Sequence, residues 1–542
     1  MKKPLKPRAY LVQFSSHNLP QIFTDVLVIG SGIAGLSAAL RAAPGCSVLV
    51  ATKAKLRDSC TNEAQGGIAV ALRPSDSPED HLQDTLRAGD GLCNEATVRI
   101  LTSEAPVRVS ELMDMGVAFD RRGDDLSFTR EGGHRRARIL HANGDATGAA
   151  VESVLVRRVR ERRGIVVMED TFTVDLITAD GVCHGALLWG PAHGLTIARA
   201  KQTILATGGC GWLYRETTNP SVATGAGVAM AFRAGAVVQD LEFIQFHPTA
   251  LYVAGAARAL ISESVRGEGA VLRNRAGERF MPRYHRDAEL APRDVVSRSI
   301  IREMKRTGDT HVLLDVTHKS RRYLEGRFPT ITKLCDRFGL NIAKDMIPVR
   351  PAAHYTIGGA TVDEIGRTAV PGLFACGEVA CTGVHGANRL GSNSLLEGLV
   401  FGTRAGVEAA RVCAGMAEAP PLLSVQQVKR EPAYASLNLT DVENSLRSIM
   451  WRNCGVERNG EDLAEALGMI EFWCRYVMDK QFDGPQGWQL QNMLTVARLM
   501  GTAALRREES RGVHCRTDFP ETVEKWRRHI AFTRADLEWE QT

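Results

Sequence analysis

The stretch DVLVIGSGIAGLSAAL, which spans Asp25 to Leu40, decides the fold that this sequence predicts. Its apolar run at Val26–Gly30 is typical of a buried parallel strand, and the helix that follows ends before Pro44. Glycines stand between them at the spacing G-x-G-x-x-G, at Gly30, Gly32 and Gly35. The first permits a tight turn, the second admits a pyrophosphate to backbone amides, and the third lets the helix pack on the strand. The pattern predicts a dinucleotide site that includes Ser31, with its phosphates at the helix N-terminus; the alternative is a structural strand–helix turn.

The kind of dinucleotide depends on the end of the next strand. An NAD site usually places an acidic residue there, about twenty residues after the glycines. Here the strand is predicted at Ser47–Ala51, and Thr52 and Lys53 follow it. The absence of an acid argues against a plain NAD enzyme and leaves FAD open.

Composition excludes several classes of protein. A length of 542 residues with 44% hydrophobic content predicts about two to four domains with large cores. The net charge of +5 is small for this length and does not indicate a nucleic-acid partner. The sequence contains no run of about eighteen uncharged apolar residues, so it predicts no membrane-spanning helix. The first 23 residues lack the apolar core of a signal peptide, and we interpret them as a tail.

Cysteine usage indicates a reducing compartment. The twelve cysteines are scattered without any C-x-x-C pair. We therefore predict reduced thiols in a cytoplasmic protein, and neither a zinc nor an iron–sulfur site.

Several polar segments are candidates for a site, although each is ordinary singly. Residues 129–147 (TREGGHRRARILHANGDAT) form either a solvated loop or the wall of a site for an acidic ligand. Gln65, Gly66 and Gly67 form a turn that either approaches a flat ring closely or is an ordinary loop. Glu263 and Arg266 would form an ion pair on one face of a helical turn. A lone histidine such as His247 is more often a core residue than a catalyst.

The order of eleven motifs carries a resemblance over nearly the whole chain. The motifs are GSGIAGLSAAL, AQGGIAVAL, TREGGH, LATGG, EFIQFHPTAL, SESVRGEGA, LAPRDVV, PAAHYTIGG, GLFACGEV, HGANRLGSNSLLEGLVFG and ESRGVH. In this order they resemble the flavoprotein family of succinate dehydrogenase, fumarate reductase and L-aspartate oxidase. The resemblance implies an α/β, Rossmann-like FAD-binding domain with an inserted α+β capping domain and a C-terminal helical domain. The expected boundaries are a tail at 1–23, FAD-binding segments at 24–240 and 346–422, the capping domain at 241–345 and the helical domain at 423–542.

Three features favour the L-aspartate oxidase branch of this family. The position that matches the histidine to which respiratory members attach FAD is Cys60, so FAD is expected to bind non-covalently. Glu131 lies in a TREGGH segment similar to the oxidase version, in which this glutamate faces the substrate amino group. Ser392 follows Gly391 in GSNSLLE, where succinate dehydrogenases usually have GGNSLL.

The resemblance also implies roles for individual residues. The residues that match substrate contacts are Glu131, His247, Ser262, His354 and Arg389, joined by Arg293. Arg293 would also deliver a proton in the fumarate direction, relayed by Glu263 and Arg266. The positions that match FAD contacts are Gly30, Ser31, Gly32, Gly35, Lys53, Gln65, Gly66, Gly67, Glu378, Ser394 and Leu395. No metal ligand is implied.

The expected reaction follows from this branch. L-Aspartate would lose its Cα hydrogen as hydride to flavin N5 and give iminoaspartate, the first step of quinolinate and NAD biosynthesis. Reoxidation by O2 or fumarate is implied, and the lability of iminoaspartate suggests handover to quinolinate synthase. The alternatives are a fumarate reductase or succinate dehydrogenase flavoprotein subunit, which Cys60 and Glu131 oppose, and an FAD-binding protein without catalysis.

Overall fold

The computed structural model of this chain describes residues 9–256, 258–416, 425 and 437–536, together with the backbone of two short strands at 4–5 and 539–540. Helices and strands are numbered in chain order. The helices are α1 Ile33–Ala42, α2 Pro78–Ala88, α3 Glu95–Met115, α4 Thr147–Glu161, α5 Ala226–Ala234, α6 Glu263–Gly267, α7 Arg293–Thr307, α8 Arg321–Arg327, α9 Pro329–Arg337, α10 Asn393–Ala414, α11 Leu439–Asn453, α12 Gly460–Val477 and α13 Pro485–Arg506. The strands are β1 Pro4–Leu5, β2 Gln21–Ile29, β3 Val48–Ala51, β4 Ile68–Ala69, β5 Arg121–Arg122, β6 Asp125–Leu126, β7 Phe128–Thr129, β8 Ile139–Leu140, β9 Ile165–Met168, β10 Phe172–Ala179, β11 Val182–Gly190, β12 Gly194–Leu205, β13 Val238–Gln239, β14 Ile244–Leu251, β15 Val271–Arg273, β16 Val312–Asp315, β17 Ile347–Thr356, β18 Gly359–Thr361, β19 Leu373–Ala375, β20 Ala380–Cys381, β21 Ala531–Phe532 and β22 Trp539–Glu540.

The main sheet has the strand order β10-β11-β12-β2-β3-β9, and β19 pairs with β12. Strands β12, β2, β3 and β9 run parallel, as does β19 beside β12, whereas β10, β11 and β12 form an antiparallel meander. Val26–Ile29 are fully or almost fully buried, because helices cover the parallel strands as the apolar run predicts. The predicted strand–glycine–helix unit is therefore present as β2 and α1.

Two distant segments build this domain together. Helix α10 packs against α1 at contact distance, and a Cβ on Gly402 would lie only 2.4 Å from the carbonyl oxygen of Ala34. Such an approach requires a residue without a side chain. The close contact joins the segment before residue 240 to the segment after residue 370.

A second sheet, β14-β17-β16-β15, is antiparallel and carries α6 to α9 on a core of its own. Its strand β17 begins at Ile347, after the boundary predicted at 345, and pairs with both β14 and β16. A cut at 345 would therefore divide this sheet. The domain boundaries stay predictions.

The C-terminal region is helical as far as α13, and α11 to α13 contribute to one large core with α5 and β10–β12. Beyond α13 the chain is irregular, and β21 adds to the sheet β20-β18-β13-β21 through the pair Val238 and Phe532. The linker that the sequence suggests at 419–432 lies outside the described residues apart from Val425.

The expectation of an N-terminal tail is wrong for the described residues of that segment. Tyr10, Leu11, Val12 and Phe14 are buried against β10 and β11. The Leu11 amide donates to Oδ2 of Asp175 at 2.6 Å. These apolar residues cover one face of the antiparallel meander, which would otherwise meet water.

In the part of the chain that the structure describes, we find no helix with the length and apolarity needed to cross a bilayer. The same residues contain no cluster of three or more histidine, cysteine or acidic side chains suited to a metal ion. All twelve cysteines are free.

Candidate active site

One cavity collects most of the predicted site residues. It opens at the carboxyl ends of the parallel strands β2, β3 and β12, where an open α/β sheet usually binds its ligand. The predicted residues that line it are Gly30, Ser31, Gly32, Lys53, Gln65, Gly66, Gly67, His247, Ser262, Glu263, Arg293, His354, Glu378, Arg389, Ser394 and Leu395. Glu131 lines an adjoining cavity, and Gly35 and Arg266 line neither. Sequence positions 365 residues apart thus meet in one site.

The glycine turn has the geometry that its spacing predicts. Gly30 has φ +115°, and a Cβ there would lie 2.1 Å from the carbonyl oxygen of Ala206. A Cβ on Gly35 would lie 2.2 Å from the carbonyl oxygen of Gly30, so the helix crosses the turn at contact distance. The N-cap of α1 is Gly32, which offers no side chain to cap the helix. The first turn of α1 faces the cavity, and a helix N-terminus generally favours an anion.

Three polar side chains line the cofactor part of the cavity, of which Gln65 is buried and Lys53 and Glu378 are partly buried. Lys53 donates to Oε1 of Gln489 at 2.5 Å, and burial lowers the pKa of Lys53 to about 8. Burial raises the pKa of Glu378 to about 7, and its Oε1 accepts from the Thr356 amide at 2.8 Å. Oε1 of Gln65 is buried without a partner. An unpaired buried acceptor is costly, so this atom is suited to a bound donor.

The N-terminus of α10 also faces the cavity. Its N-cap is Ser392, whose hydroxyl makes no capping hydrogen bond. The amides of Ser394 and Leu395 stand in the first turn, where N–H groups have no acceptor within the helix. A 22-residue helix also carries a positive dipole end here, which favours a partly negative group.

Two arginines converge on a single glutamine that the sequence interpretation missed. Oε1 of Gln245 accepts from Nη2 of Arg389 at 3.0 Å and from Nη1 of Arg293 at 3.3 Å. Gln245 is fully buried, and its amide nitrogen donates to the Arg389 carbonyl at 2.8 Å. The signal was available, because Gln245 precedes His247 by two residues and alternate residues of a strand share a face.

A second missed residue supports Arg389 from behind. The guanidinium carbon of Arg389 lies 4.3 Å from the centre of the Tyr355 ring. The Tyr355 hydroxyl donates to Oε2 of Glu397 at 2.6 Å. Burial lowers the pKa of Arg389 to about 10, which leaves it charged at neutral pH. The electron-rich ring stabilises that charge, as do the carboxylates of Glu378 and Glu131.

Both predicted histidines are neutral donors. Burial lowers the pKa of His247 and of His354 well below 6.5, and neighbouring arginines lower it further. Nδ1 of His247 accepts from the Thr249 amide at 3.2 Å, so the ring proton is on Nε2. Their rings lie 5.2 Å apart, centre to centre. An uncharged N–H donor of His247 can thus face a carboxylate beside the neutral ring of His354, whose Nδ1 lies 2.9 Å from the Thr218 hydroxyl.

The predicted relay residues form one buried chain of charges. Nε of Arg293 donates to Oε2 of Glu263, and Nη2 of Arg266 lies 3.6 Å from Oε1 of Glu263. Burial alone would raise the pKa of Glu263, but the two arginines outweigh it and the pKa is lowered. Burial lowers the pKa of Arg266. Ser262 caps α6 by accepting from the Ser264 amide at 3.3 Å.

Glu131 is buried at the junction of the two cavities. Its Oε2 accepts from the Ser392 hydroxyl at 2.8 Å, and its Oε1 accepts from the Ser264 hydroxyl at 3.3 Å. Burial raises its pKa, and the charge of Glu263 raises it further. The segment at 129–147 is therefore not a simple solvated loop, since His134, Arg138 and His141 are buried with Glu131.

Cys60 lines the main cavity as an uncharged thiol. It is partly buried, and burial raises its pKa well above 9.0. Only a thiolate is a strong nucleophile, so this environment disfavours a covalent bond to a cofactor.

Comparisons with known proteins agree with this geometry. Residues 25–395 match a family model described as FAD binding domain, and residues 443–542 match one described as fumarate reductase flavoprotein C-term. The L-aspartate oxidase of Streptomyces coelicolor is 46% identical over 530 residues, which cover 94% of this chain and 91% of that protein. This chain belongs to the L-aspartate oxidase family. The predicted family, and FAD as its cofactor, are confirmed.

Other members and solved structures extend the likeness. L-aspartate oxidase 1 of Ralstonia nicotianae is 43% identical and covers 92% of this chain and 96% of its own length. The flavoprotein FrdA of E. coli quinol fumarate reductase superposes with a TM-score of 0.86 at 30% identity and covers 95% of this chain and 94% of its own. Mycobacterium smegmatis Sdh1 superposes with a TM-score of 0.81 at 33% identity. The match covers 97% of this chain and 95% of Sdh1. The predicted fold class is therefore confirmed.

Proposed function

We propose that this protein is an oxidase that converts L-aspartate to iminoaspartate with FAD. The observation that carries the proposal is the pairing of charges in one buried site. Arg389 and Arg293 meet at Gln245 beside two histidine donors, while the Glu131 carboxylate stands near the same arginines. L-Aspartate has two carboxylates and one ammonium, so this arrangement is complementary to it in both number and sign of charge.

The residues of the main cavity fit FAD. The first turn of α1, in which the Ile33 amide already donates to Oγ1 of Thr61 at 3.0 Å, would receive its pyrophosphate, and Glu378 its ribityl hydroxyls. The amides of Ser394 and Leu395 would face the flavin C2 carbonyl. Gln65 offers an unpaired acceptor in the same cavity. When bound, FAD supplies the hydride acceptor at N5.

The substrate would be held by groups of complementary charge. Arg389 can bind one carboxylate bidentately, while His247 and His354 donate N–H groups. Glu131 would accept from the ammonium group, a contact that succinate and fumarate cannot make. An acceptor left unpaired costs about 1–3 kcal/mol, which favours aspartate over succinate. The protein thus contributes orientation and electrostatics to the reaction.

Arg293 is proposed to hand a proton to fumarate when fumarate is reduced, with Glu263 and Arg266 behind it. A guanidinium has a pKa above about 12 and is a poor acid on its own. The buried Glu263 carboxylate links the two arginines and can pass a proton between them.

The acceptor and the cellular context are further parts of the proposal. We propose O2 or fumarate as the oxidant, a cytoplasmic location, and handover of the labile product to quinolinate synthase. The twelve cysteines are all free thiols, which supports the location. A pull-down that recovers no quinolinate synthase, together with pathway flux that is unchanged by dilution, would argue against handover.

Anaerobic flavin absorbance tests the central claim. FAD-loaded protein is mixed separately with L-aspartate and with succinate, and bleaching of the visible flavin band is followed. We expect bleaching by L-aspartate, and its loss in Glu131→Gln. Glu268→Gln, a carboxylate at the wall of the adjoining cavity, is the matched control and should bleach normally.

Bleaching by succinate alone would overturn the proposal and place the protein among respiratory flavoproteins. Bleaching by L-aspartate that survives in Glu131→Gln would leave the reaction standing and remove the ammonium contact.

A further inference from the structure

Ser392 has a backbone conformation that serine rarely adopts. Its φ is +62° and its ψ is +6°, in the left-handed region that favours glycine. Serine is a preferred N-cap residue because its hydroxyl accepts from an amide of the first turn, but here it makes no such bond. The residue therefore carries backbone strain without stabilising its helix. Such strain persists where the surroundings impose it, and it often marks a function.

The hydroxyl of Ser392 is used instead to hold Glu131. It donates to Oε2 of Glu131 at 2.8 Å, and the Ser392 carbonyl accepts from the Ala69 amide at 3.1 Å. A Cβ on the preceding Gly391 would lie 3.0 Å from the same Oε2. The loop at 391–392 thus closes directly on this carboxylate, and the left-handed turn aims the hydroxyl at it.

The charges around Glu131 make that hydrogen bond consequential. Glu263 opposes ionisation of Glu131, whereas Arg293, Arg266 and Arg389 favour it. His134, on the same segment, is neutral because burial lowers its pKa to about 4. The remaining donors are the hydroxyls of Ser392 and Ser264. The hydrogen bond from Ser264 is the longer of the two, at 3.3 Å. Ser392 therefore gives the stronger hydrogen bond to the ionised carboxylate.

We propose that Ser392 is the positioning residue that makes the site selective for a dicarboxylate bearing an ammonium group. Its hydroxyl fixes the Glu131 carboxylate and favours its ionised form, which can accept from the ammonium. This inference rests on the proposed oxidation of L-aspartate and deepens it. Glycine at this position would relieve the strain and lose the selectivity.

Ser392→Gly tests the inference because it removes the hydroxyl and suits the backbone. We expect KM for L-aspartate to rise about tenfold, the effect of losing one hydrogen bond to a charged group, with little change in kcat. Inhibition by succinate should be unchanged or stronger, because succinate gains nothing from an ionised Glu131. Flavin content and thermal stability should be retained, since glycine accepts this φ.

Two matched variants separate the effect of the Ser392 hydroxyl bond from the effect of relieving backbone strain. Ser264→Ala removes the other hydroxyl and should raise KM less. Asn143→Gly relaxes an exposed left-handed residue with φ +52° that lies outside both cavities, and it should leave KM unchanged.

The pH profile gives a readout that a structural role would not move. The pKa of Glu131 is already raised, and removal of a donor to its ionised form raises it further. The acidic limb of kcat/KM for L-aspartate should therefore shift to higher pH in Ser392→Gly, and binding should recover as the pH rises.

The outcomes distinguish this inference from the proposed function. Wild-type protein that does not oxidise L-aspartate overturns the proposed function and this inference with it. Wild-type activity, with KM and pH profile unchanged in Ser392→Gly, overturns only the role of Ser392. Equal losses for aspartate and succinate would also overturn it, because they would indicate general damage to the site.

Discussion

The side-chain oxygen of Gln245 accepts a 3.0 Å hydrogen bond from Nη2 of Arg389, which lies 144 residues further along the chain. The same oxygen also accepts from Arg293, so one neutral acceptor separates two like charges in a buried site. The two guanidinium groups repel each other, and the shared acceptor offsets part of that repulsion. The spacing of the carboxylate-binding groups therefore depends on an uncharged residue.

We expect Gln245→Leu to lower kcat/KM for L-aspartate by about tenfold or more, since unpairing buried donors costs roughly 1–3 kcal/mol. The measurement is steady-state kinetics with flavin content checked. Gln491→Leu is the control, because this buried amide of α13 donates only to backbone carbonyls far from the cavity. It should lower thermal stability and leave KM unchanged. An unaltered KM in Gln245→Leu would contradict the role of the bridge.

The affinity for FAD should depend on pH through Glu378. Burial raises the pKa of this carboxyl to about 7, so it is ionised above that pH and protonated below it. An ionised carboxylate is the stronger acceptor for ribityl hydroxyls. We expect apoprotein to bind FAD more tightly at a pH about one unit above 7 than one unit below, as measured by quenching of flavin fluorescence. The difference should vanish in Glu378→Gln; a pH effect that persists there would assign it to another group.

The contact between α1 and α10 should be intolerant of any side chain. A Cβ on Gly402 would lie 2.4 Å from a backbone oxygen, so Gly402→Ala must separate the helices and should destabilise the protein by about 1–3 kcal/mol. Gly468→Ala, at an exposed position of α12 with open space around its Cβ, should instead stabilise it by about 0.5–1 kcal/mol. Thermal denaturation measures both. Equal effects of the two substitutions would contradict close packing at Gly402.

Patterns of short range predicted the framework of the fold. The apolar run and the glycine spacing between Val26 and Gly35 specified β2, the turn and α1, because each depends on neighbours a few residues away. Strand β3 at Val48–Ala51 and the helices at Gly460–Val477 and Pro485–Arg506 were predictable for the same reason. The order of the motifs added the family, the cofactor and the candidate residues. The roles of those residues remain predictions.

What the sequence by itself determined is thus the set of chemical groups and the local elements that carry them. Only the tertiary structure decided how these groups pair. It placed Ser392 against Glu131 and Gln245 between two arginines, and it buried Tyr10 and Leu11 where a tail was expected. It also placed β17, which begins after the boundary predicted at 345, in the same sheet as strands that precede that boundary. The physical reason is that hydrogen bonding, burial and the pKa shifts they cause depend on residues brought together from 48 to 261 positions apart, and no local periodicity records those contacts.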